Sequence, residues 1–189
     1  MRVIAGTARS MPIKTVKGMD VRPTTDRTKE TLFNILMPRV PGCRFLDLYA
    51  GSGAIGIEAL SRGASHADFV ENNRRTRELI IENLKFTKLD DRAEVIAGDA
   101  DSVLLRMHGK APYDIIFMDP PFDKGLERGT LEVISRGNYL AEDGIVVVEA
   151  SPRTDFSYLG EMGYRMVKER TYGMSRHIFL ELDADRPGV

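Results

Sequence analysis

From Arg44 onward the chain alternates short apolar runs with segments whose apolar residues recur at helical spacing. The runs Phe45 to Leu48, Ala67 to Val70, Ala93 to Ile96, Asp114 to Met118 and Ile145 to Glu149 have the length and composition of strands buried on both faces. Between them lie helix candidates at Ala54 to Arg62, Asn73 to Lys88, Ala100 to His108 and Gly125 to Arg136. In the second of these, Thr76, Leu79, Ile80, Asn83 and Leu84 share one face, and Asn72 or Asn73 supplies an N-cap. Strand and helix in strict alternation predict βαβ units and a parallel sheet.

After the fifth run the rhythm changes. Tyr164 to Thr171 and Arg176 to Leu182 flank the turn-like Tyr172, Gly173, Met174 and Ser175 with no helix between them, which predicts an antiparallel hairpin. Five parallel strands closed by such a hairpin resemble the Rossmann-like, seven-stranded α/β sheet of class I S-adenosylmethionine-dependent methyltransferases rather than the all-parallel dinucleotide fold. Upstream, Thr25 to Met37 is a helix candidate with Leu32, Phe33, Ile35 and Leu36 on its apolar side, stopped by Pro38. The segment Arg2 to Lys14 predicts a small β-hairpin.

The 189 residues suffice for one α/β domain with a sizeable core, and the 42% hydrophobic and 29% charged shares are those of an ordinary globular protein. The chain divides into an N-terminal extension packed on the core (1–43), the methyltransferase-like domain (44–183) and a tail (184–189). No apolar run approaches the roughly 20 residues that span a bilayer, and the N-terminus lacks a signal-peptide core. A cytoplasmic monomer without membrane contact is expected. The single cysteine, Cys43, excludes an internal disulfide and reads as a small buried hydrophobe. His66, His108 and His177 are dispersed without metal-ligand spacing, so no metal is expected.

Charge is segregated along the chain. Residues 1–44 carry 9 basic and 3 acidic side chains, a net of +6, and the rest carries 18 basic and 25 acidic, a net of -7. A basic extension on an acidic body suits local contact with a phosphate backbone, and equally a solvated basic face.

Two motifs carry chemistry. The first runs from Phe45 through Asp47, Tyr49, Ala50, Gly51, Ser52 and Gly53 to Gly56, a strand entering a glycine-rich turn and then a helix. Taken alone, Gly51-Ser52-Gly53-Ala54-Ile55-Gly56 fits the dinucleotide fingerprint, with Glu71 about 20 residues on as the ribose-binding acid. Asp47 shifts the balance, because a carboxylate before the turn repels a pyrophosphate but suits the cationic amino-acid end of S-adenosylmethionine. Glu71, with Asn72 beside it, is placed to accept from ribose hydroxyls, or else acts as a helix N-terminal charge. Asp99 can accept from the adenine amino group while Ala100 contacts the ring. Asp99 also reads as a helix N-cap.

The second motif is Asp119-Pro120-Pro121-Phe122, directly after the fourth apolar run and so at the carboxyl edge of the sheet, where such folds bind ligands. An exocyclic amine is a poor nucleophile because its lone pair is delocalised into the ring. Two acceptors, the Asp119 carboxylate and the Pro120 carbonyl, can turn that lone pair toward a methyl donor. The two prolines stiffen the loop, and Phe122 offers a face for an extruded base.

With these motifs and the N-terminal stretch Arg22 to Asn34 in hand, the sequence resembles the RsmD family, bacterial methyltransferases of guanine N2 in small-subunit ribosomal RNA. The opening Met1 to Gly6 is similar too, though Ser10 stands where glycine is expected and Phe122 where tyrosine is more usual. The resemblance implies S-adenosylmethionine as cofactor and ribosomal RNA, within the assembled small subunit or an assembly intermediate, as partner. It places Arg2, Arg9, Arg22 and Arg27 near the RNA, with pairing of Arg22 or Arg27 to Asp26 or Glu30 as the competing reading. Three other readings stay open on the residues alone: transfer to another planar amine in DNA or protein, a non-catalytic RNA-binding module, and an NAD-dependent oxidoreductase.

Overall fold

The computed structural model describes residues 1–15, 25–109 and 112–183. Helix α1 spans Asp26–Leu36, and its N-cap Thr25 accepts from the Thr28 N–H. There follow β1 (Arg44–Leu48), α2 (Ala54–Ser61), β2 (His66–Glu71), α3 (Arg74–Thr87), β3 (Ala93–Ala97) and α4 (Ala100–Arg106). The chain continues through β4 (Tyr113–Met118), α5 (Leu126–Arg136), β5 (Leu140–Ala150), β6 (Tyr164–Tyr172) and β7 (Ser175–Leu182). Asn73 is the N-cap of α3, accepting from the N–H groups of Arg75 and Thr76. Strand β5 begins five residues before the apolar run that predicts it, because Leu140 pairs with Tyr113 across a register shift that periodicity does not reveal.

The seven strands form one sheet in the order β3-β2-β1-β4-β5-β7-β6. Strands β1 to β5 pair in parallel, and β7 slots antiparallel between β5 and β6. Successive residues of a strand face opposite sides. Phe45, Ile115, Phe117, Ile145, Val147 and Phe179 therefore pack into one core with α1, α2 and α3. Leu46, Leu48, Ile116, Met118, Val146 and Val148 pack into a second core with α4 and α5. Each large side chain so buried contributes about 1.5–3 kcal/mol.

Helix α2 is buried on every side. Its outer face is covered by the first 13 residues, whose Val3, Ala8 and Ile13 join the core together with Leu32, Phe33 and Leu36 of α1. Glu58 of α2 is fully enclosed and accepts from the N–H groups of Ile4 (2.8 Å) and Ala5 (3.0 Å) and from Arg62 Nε (2.7 Å). Lys29 of α1 lies 3.1 Å from the same carboxylate and donates to the Arg2 carbonyl at 2.6 Å. Burial lowers the Lys29 ammonium from its ordinary value, and Glu58 opposes that shift.

The expected N-terminal hairpin is only a bridge between Arg2 and Pro12, flanked by the bonds Val3 N–H to Met11 O and Ile13 N–H to Met1 O. Ser10 adopts φ 67° in its turn. That left-handed backbone is the physical reason a glycine is expected at this position. The expected tail 184–189 and Arg22 lie outside the described residues. Among the described residues no helix is long and apolar enough to cross a membrane.

Candidate active site

The strand order reverses between β1 and β4: successive βαβ units build outward to β3 on one side and to β5 on the other. At such a switch point the loops leaving the two central strands diverge and open a crevice at the carboxyl edge. Both sequence motifs lie on this crevice.

On the β1 side, Tyr49, Gly51 and Gly53 all have positive φ, at 63°, 53° and 76°. The turn so formed delivers the chain into α2, with Gly53 as N-cap. Gly56 is needed for a different reason: a Cβ there would sit 2.3 Å from Cε1 of Phe69, so helix and strand approach only without a side chain. Asp47, at 1% exposure, accepts from the Gly56 N–H at 2.9 Å and so caps the first turn of α2 from the neighbouring strand. Burial raises its carboxyl to about 8, opposed by the Gly56 bond and assisted by the charge of Glu71. The Ala50 N–H is held by the Val70 carbonyl, and the Tyr49 side chain turns away to Thr130 of α5, with 2.8 Å between hydroxyl oxygens. Tyr49 thus offers the crevice its backbone rather than its ring.

Glu71 ends β2 with both oxygens engaged, one by the Gly51 N–H at 3.0 Å and one by the Asn73 N–H at 2.8 Å. The carboxylate splints the glycine turn to the α3 N-terminus, and each oxygen keeps a further lone pair for a ligand. Asp99 stands at the N-cap of α4 without making the cap bond; its carboxylate accepts from Asn72 Nδ2 at 3.0 Å instead. Ala100, the first residue of that helix, is buried.

On the β4 side, Asp119 follows the last strand residue, Pro120 is buried, and Pro121 and Phe122 are exposed. Phe122 is 39% exposed, which leaves a ring face open beside the Pro-Pro turn. Asp119 is half-buried, and its carboxyl has no hydrogen bond to any described residue. Its carboxyl is pushed well above the ordinary range by burial, then by the charge of Glu149, then by that of Asp47. An acid at the ligand edge of the sheet, short of partners and crowded by like charge, is held toward its neutral form until an incoming donor or cation stabilises its charge.

Glu149 and His177 escape sequence reasoning. They lie 28 positions apart, and only the antiparallel register of β5 on β7 pairs them. His177 Nε2 is 3.0 Å from Glu149 Oε2, with His177 fully buried and Glu149 nearly so. The one available hint is a histidine directly before the apolar run Ile178 to Leu180.

The basic residues meet elsewhere. Arg2, Arg9 and Arg27 line one cavity of about 520 Å³ together with Ser10, Asp26 and Glu30. Asp26 is paired with Arg2 at 3.0 Å rather than with Arg27. Among the described residues, Arg9 and Arg27 form no ion pair.

A family model described as "Conserved hypothetical protein 95" matches residues 1–181. The protein YlbH of Bacillus subtilis is 37% identical over 180 residues, covering 93% of this chain and 95% of that one. The ribosomal RNA small subunit methyltransferase D of Escherichia coli is 33% identical over 187 residues, covering 93% of each. The solved structure of yhhF from Escherichia coli, 33% identical, superposes with a TM-score of 0.87 over 98% of this chain and 99% of that one. Matched from its N-terminal extension through its last strand, the chain belongs to the family of the small-subunit ribosomal RNA methyltransferase D proteins, the RsmD family.

Proposed function

We propose that this protein is a ribosomal RNA methyltransferase that uses S-adenosylmethionine to methylate the exocyclic N2 amine of a guanine in small-subunit ribosomal RNA. The observation that carries the reading is Asp119: a half-enclosed carboxyl without a protein partner, facing Asp47 across the switch point and followed by a rigid Pro-Pro turn and an exposed aromatic.

The residues of the β1 side fit the cofactor. Asp47 is a buried acid whose charge needs a cation, which the ammonium and sulfonium of the donor provide. Space is open beside Gly51, where a Cβ would find nothing nearer than 4.0 Å. Glu71 keeps lone pairs for ribose hydroxyls, and the uncapped Asp99 is free to accept from an adenine amino group, with Ala100 against the ring. When bound, S-adenosylmethionine supplies an electrophilic methyl group on a positively charged sulfur.

The rest of the chemistry falls to the chain's own groups. The Asp119 carboxylate and the Pro120 carbonyl accept the two N–H bonds of the amine and turn its lone pair toward the methyl group. Phe122 stacks on the base, and the ionised Asp119 stabilises the positive charge that develops on nitrogen. Residues 1–43 serve as the RNA-binding extension, with Arg9 and Arg27 toward phosphates and Arg2 braced by Asp26.

The test is transfer of a tritiated methyl group to ribosomal RNA or small subunits, with DNA and protein as parallel substrates and digestion of the product to nucleosides. Label in N2-methylguanosine is expected. Label in DNA or protein alone overturns the substrate, and absence of S-adenosylmethionine binding by calorimetry overturns the enzyme.

A further inference from the structure

The two walls assigned above to the cofactor, the glycine turn and the α4 N-terminus, are each held on the β2 side: Gly51 by Glu71, and Asp99 by Asn72. On the α5 side both are tied to one residue that the chemistry leaves unused. Thr130 is fully buried, and its hydroxyl donates at 2.6 Å to Oδ1 of Asp101 in the first turn of α4. The same Thr130 oxygen lies 2.8 Å from the hydroxyl of Tyr49, the residue that opens the glycine turn.

A threonine hydroxyl carries one hydrogen, and here it goes to the Asp101 carboxylate. The Tyr49 phenol is therefore the donor to Thr130, and the chain of bonds runs in one direction from the β1 loop through α5 to α4. Burial raises the Tyr49 phenol above its ordinary value, opposed by the Thr130 bond, so that hydrogen stays in place.

Tyr49 needs such a hold. Its φ of 63° is left-handed, a backbone in which Cβ crowds the following carbonyl and which bulky side chains rarely adopt. The ring packs against the core formed with α4 and α5, and the bond at its far end fixes the direction in which it leaves the turn. Released from Thr130, the backbone at Tyr49 can relax toward negative φ, which rotates the peptide groups of the turn.

We propose that Thr130 is a positioning residue for S-adenosylmethionine, its hydroxyl bracing the glycine turn through Tyr49 and the α4 N-terminus through Asp101 so that both walls are set before the donor arrives. The inference rests on these walls being the cofactor site. Thr130 acts through its two partners, and a site preset in this way binds more tightly because less order is lost on binding.

Calorimetry with S-adenosylmethionine on the intact protein compares wild type, Tyr49→Phe, Thr130→Val, Thr130→Ser and the double variant Tyr49→Phe with Thr130→Val. Tyr49→Phe removes one hydrogen bond and is expected to weaken affinity about threefold, whereas Thr130→Val removes both and weakens it about tenfold. The double variant should be no weaker than Thr130→Val, which already frees the ring, and Thr130→Ser should restore binding because it keeps the hydroxyl. In steady state, the KM for the donor should rise in Thr130→Val by more than kcat falls. A residue that merely stabilises the fold would lower the Tm and leave these affinities alone. Wild-type affinity in either single variant, or losses that multiply to about thirtyfold in the double variant, overturns the proposal. Should Thr130→Val fail to fold, Tyr49→Phe decides by itself, since it removes one oxygen from a half-buried ring. Absence of binding by the wild type overturns the cofactor reading instead, so the two failures are distinct.

Discussion

The ammonium of Lys29 and the carboxylate of Glu58 lie 3.1 Å apart with no surface open to water, tying α1 and the N-terminal segment onto the helix that follows the glycine turn. Glu58 also satisfies the N–H groups of Ile4 and Ala5 and the guanidinium of Arg62, so four donors depend on one side chain. Replacing it with alanine strands a buried cation and is expected to destabilise the protein by about 3–5 kcal/mol. Chemical denaturation measures the loss, and limited proteolysis should cut first before α1. A change below about 1 kcal/mol would show that this network is not what holds the extension down.

Asp47 gives a prediction of opposite sign for stability and for binding. Its folded-state value of about 8 lies above the ordinary 3.8, so between those values the folded chain holds a proton that the unfolded chain releases. The contribution is fully favourable below about 4 and declines as pH rises toward about 8. Asp47→Asn keeps an acceptor for the Gly56 N–H and escapes the decline. Its Tm should exceed that of wild type by several degrees at pH 9 and match it near pH 4. S-adenosylmethionine affinity in the wild type should rise with pH up to about 8, where the ionised acid meets the cation, and in Asp47→Asn it should be weaker and flat. Thermal scans and calorimetry across this range check both halves.

At the β4 edge, the proposed role of Asp119 as acceptor of the substrate amine predicts that Asp119→Ala reduces methyl transfer by at least a hundredfold with cofactor affinity nearly unchanged. Phe122→Ala should leave the Tm within about a degree because the ring is already exposed, yet weaken RNA turnover by roughly the 1–3 kcal/mol of a base stacked on an aromatic face. Steady-state kinetics with intact small subunits distinguishes the two. Equal losses of cofactor affinity and turnover would move Asp119 from the substrate side to the donor side.

The three arginines of the N-terminal cavity should not behave alike. Arg9→Ala and Arg27→Ala each remove an unpaired cation and should lower the slope of log affinity against log salt by about one. Arg2→Ala should have a smaller effect, because Arg2 is already engaged by Asp26. Filter binding to ribosomal RNA fragments at several salt concentrations reads these slopes, and identical slopes for all four proteins would remove the cavity from the RNA interface.

Gly56 tests whether the glycine motif serves packing as well as ligand approach. Gly56→Ala drives a Cβ to 2.3 Å from the Phe69 ring, and a ring buried in the core has little room to retreat. A loss of about 1–3 kcal/mol is expected by denaturation. Full stability in this variant would mean that α2 can lift from the sheet.

Much of this was legible before any coordinates. The alternation of apolar runs and helical stretches identified five parallel strands, the closing hairpin and the helices between them to within a few residues, because period and length are local properties of the chain. The glycine turn and Asp119-Pro120-Pro121-Phe122 could be placed on one edge of the sheet, since every parallel strand ends on the same side. Asp99 shows where local reading stops: its type and position announce a helix cap, yet its carboxylate bonds Asn72, which follows the neighbouring strand β2. Tyr49 likewise sits inside the expected turn but sends its ring to Thr130 of α5, 81 positions away.

What the sequence determined by itself was the kind of fold and the placing of two candidate loops, after β1 and after β4, on one edge of the sheet. Tertiary structure alone decided which ionisable groups meet: Lys29 with Glu58, Asp26 with Arg2, Glu149 with His177, and Asp47 with Asp119. Electrostatic pairing depends on distances between residues far apart in the chain, and those distances are set by strand register and helix packing, which no single stretch of sequence encodes.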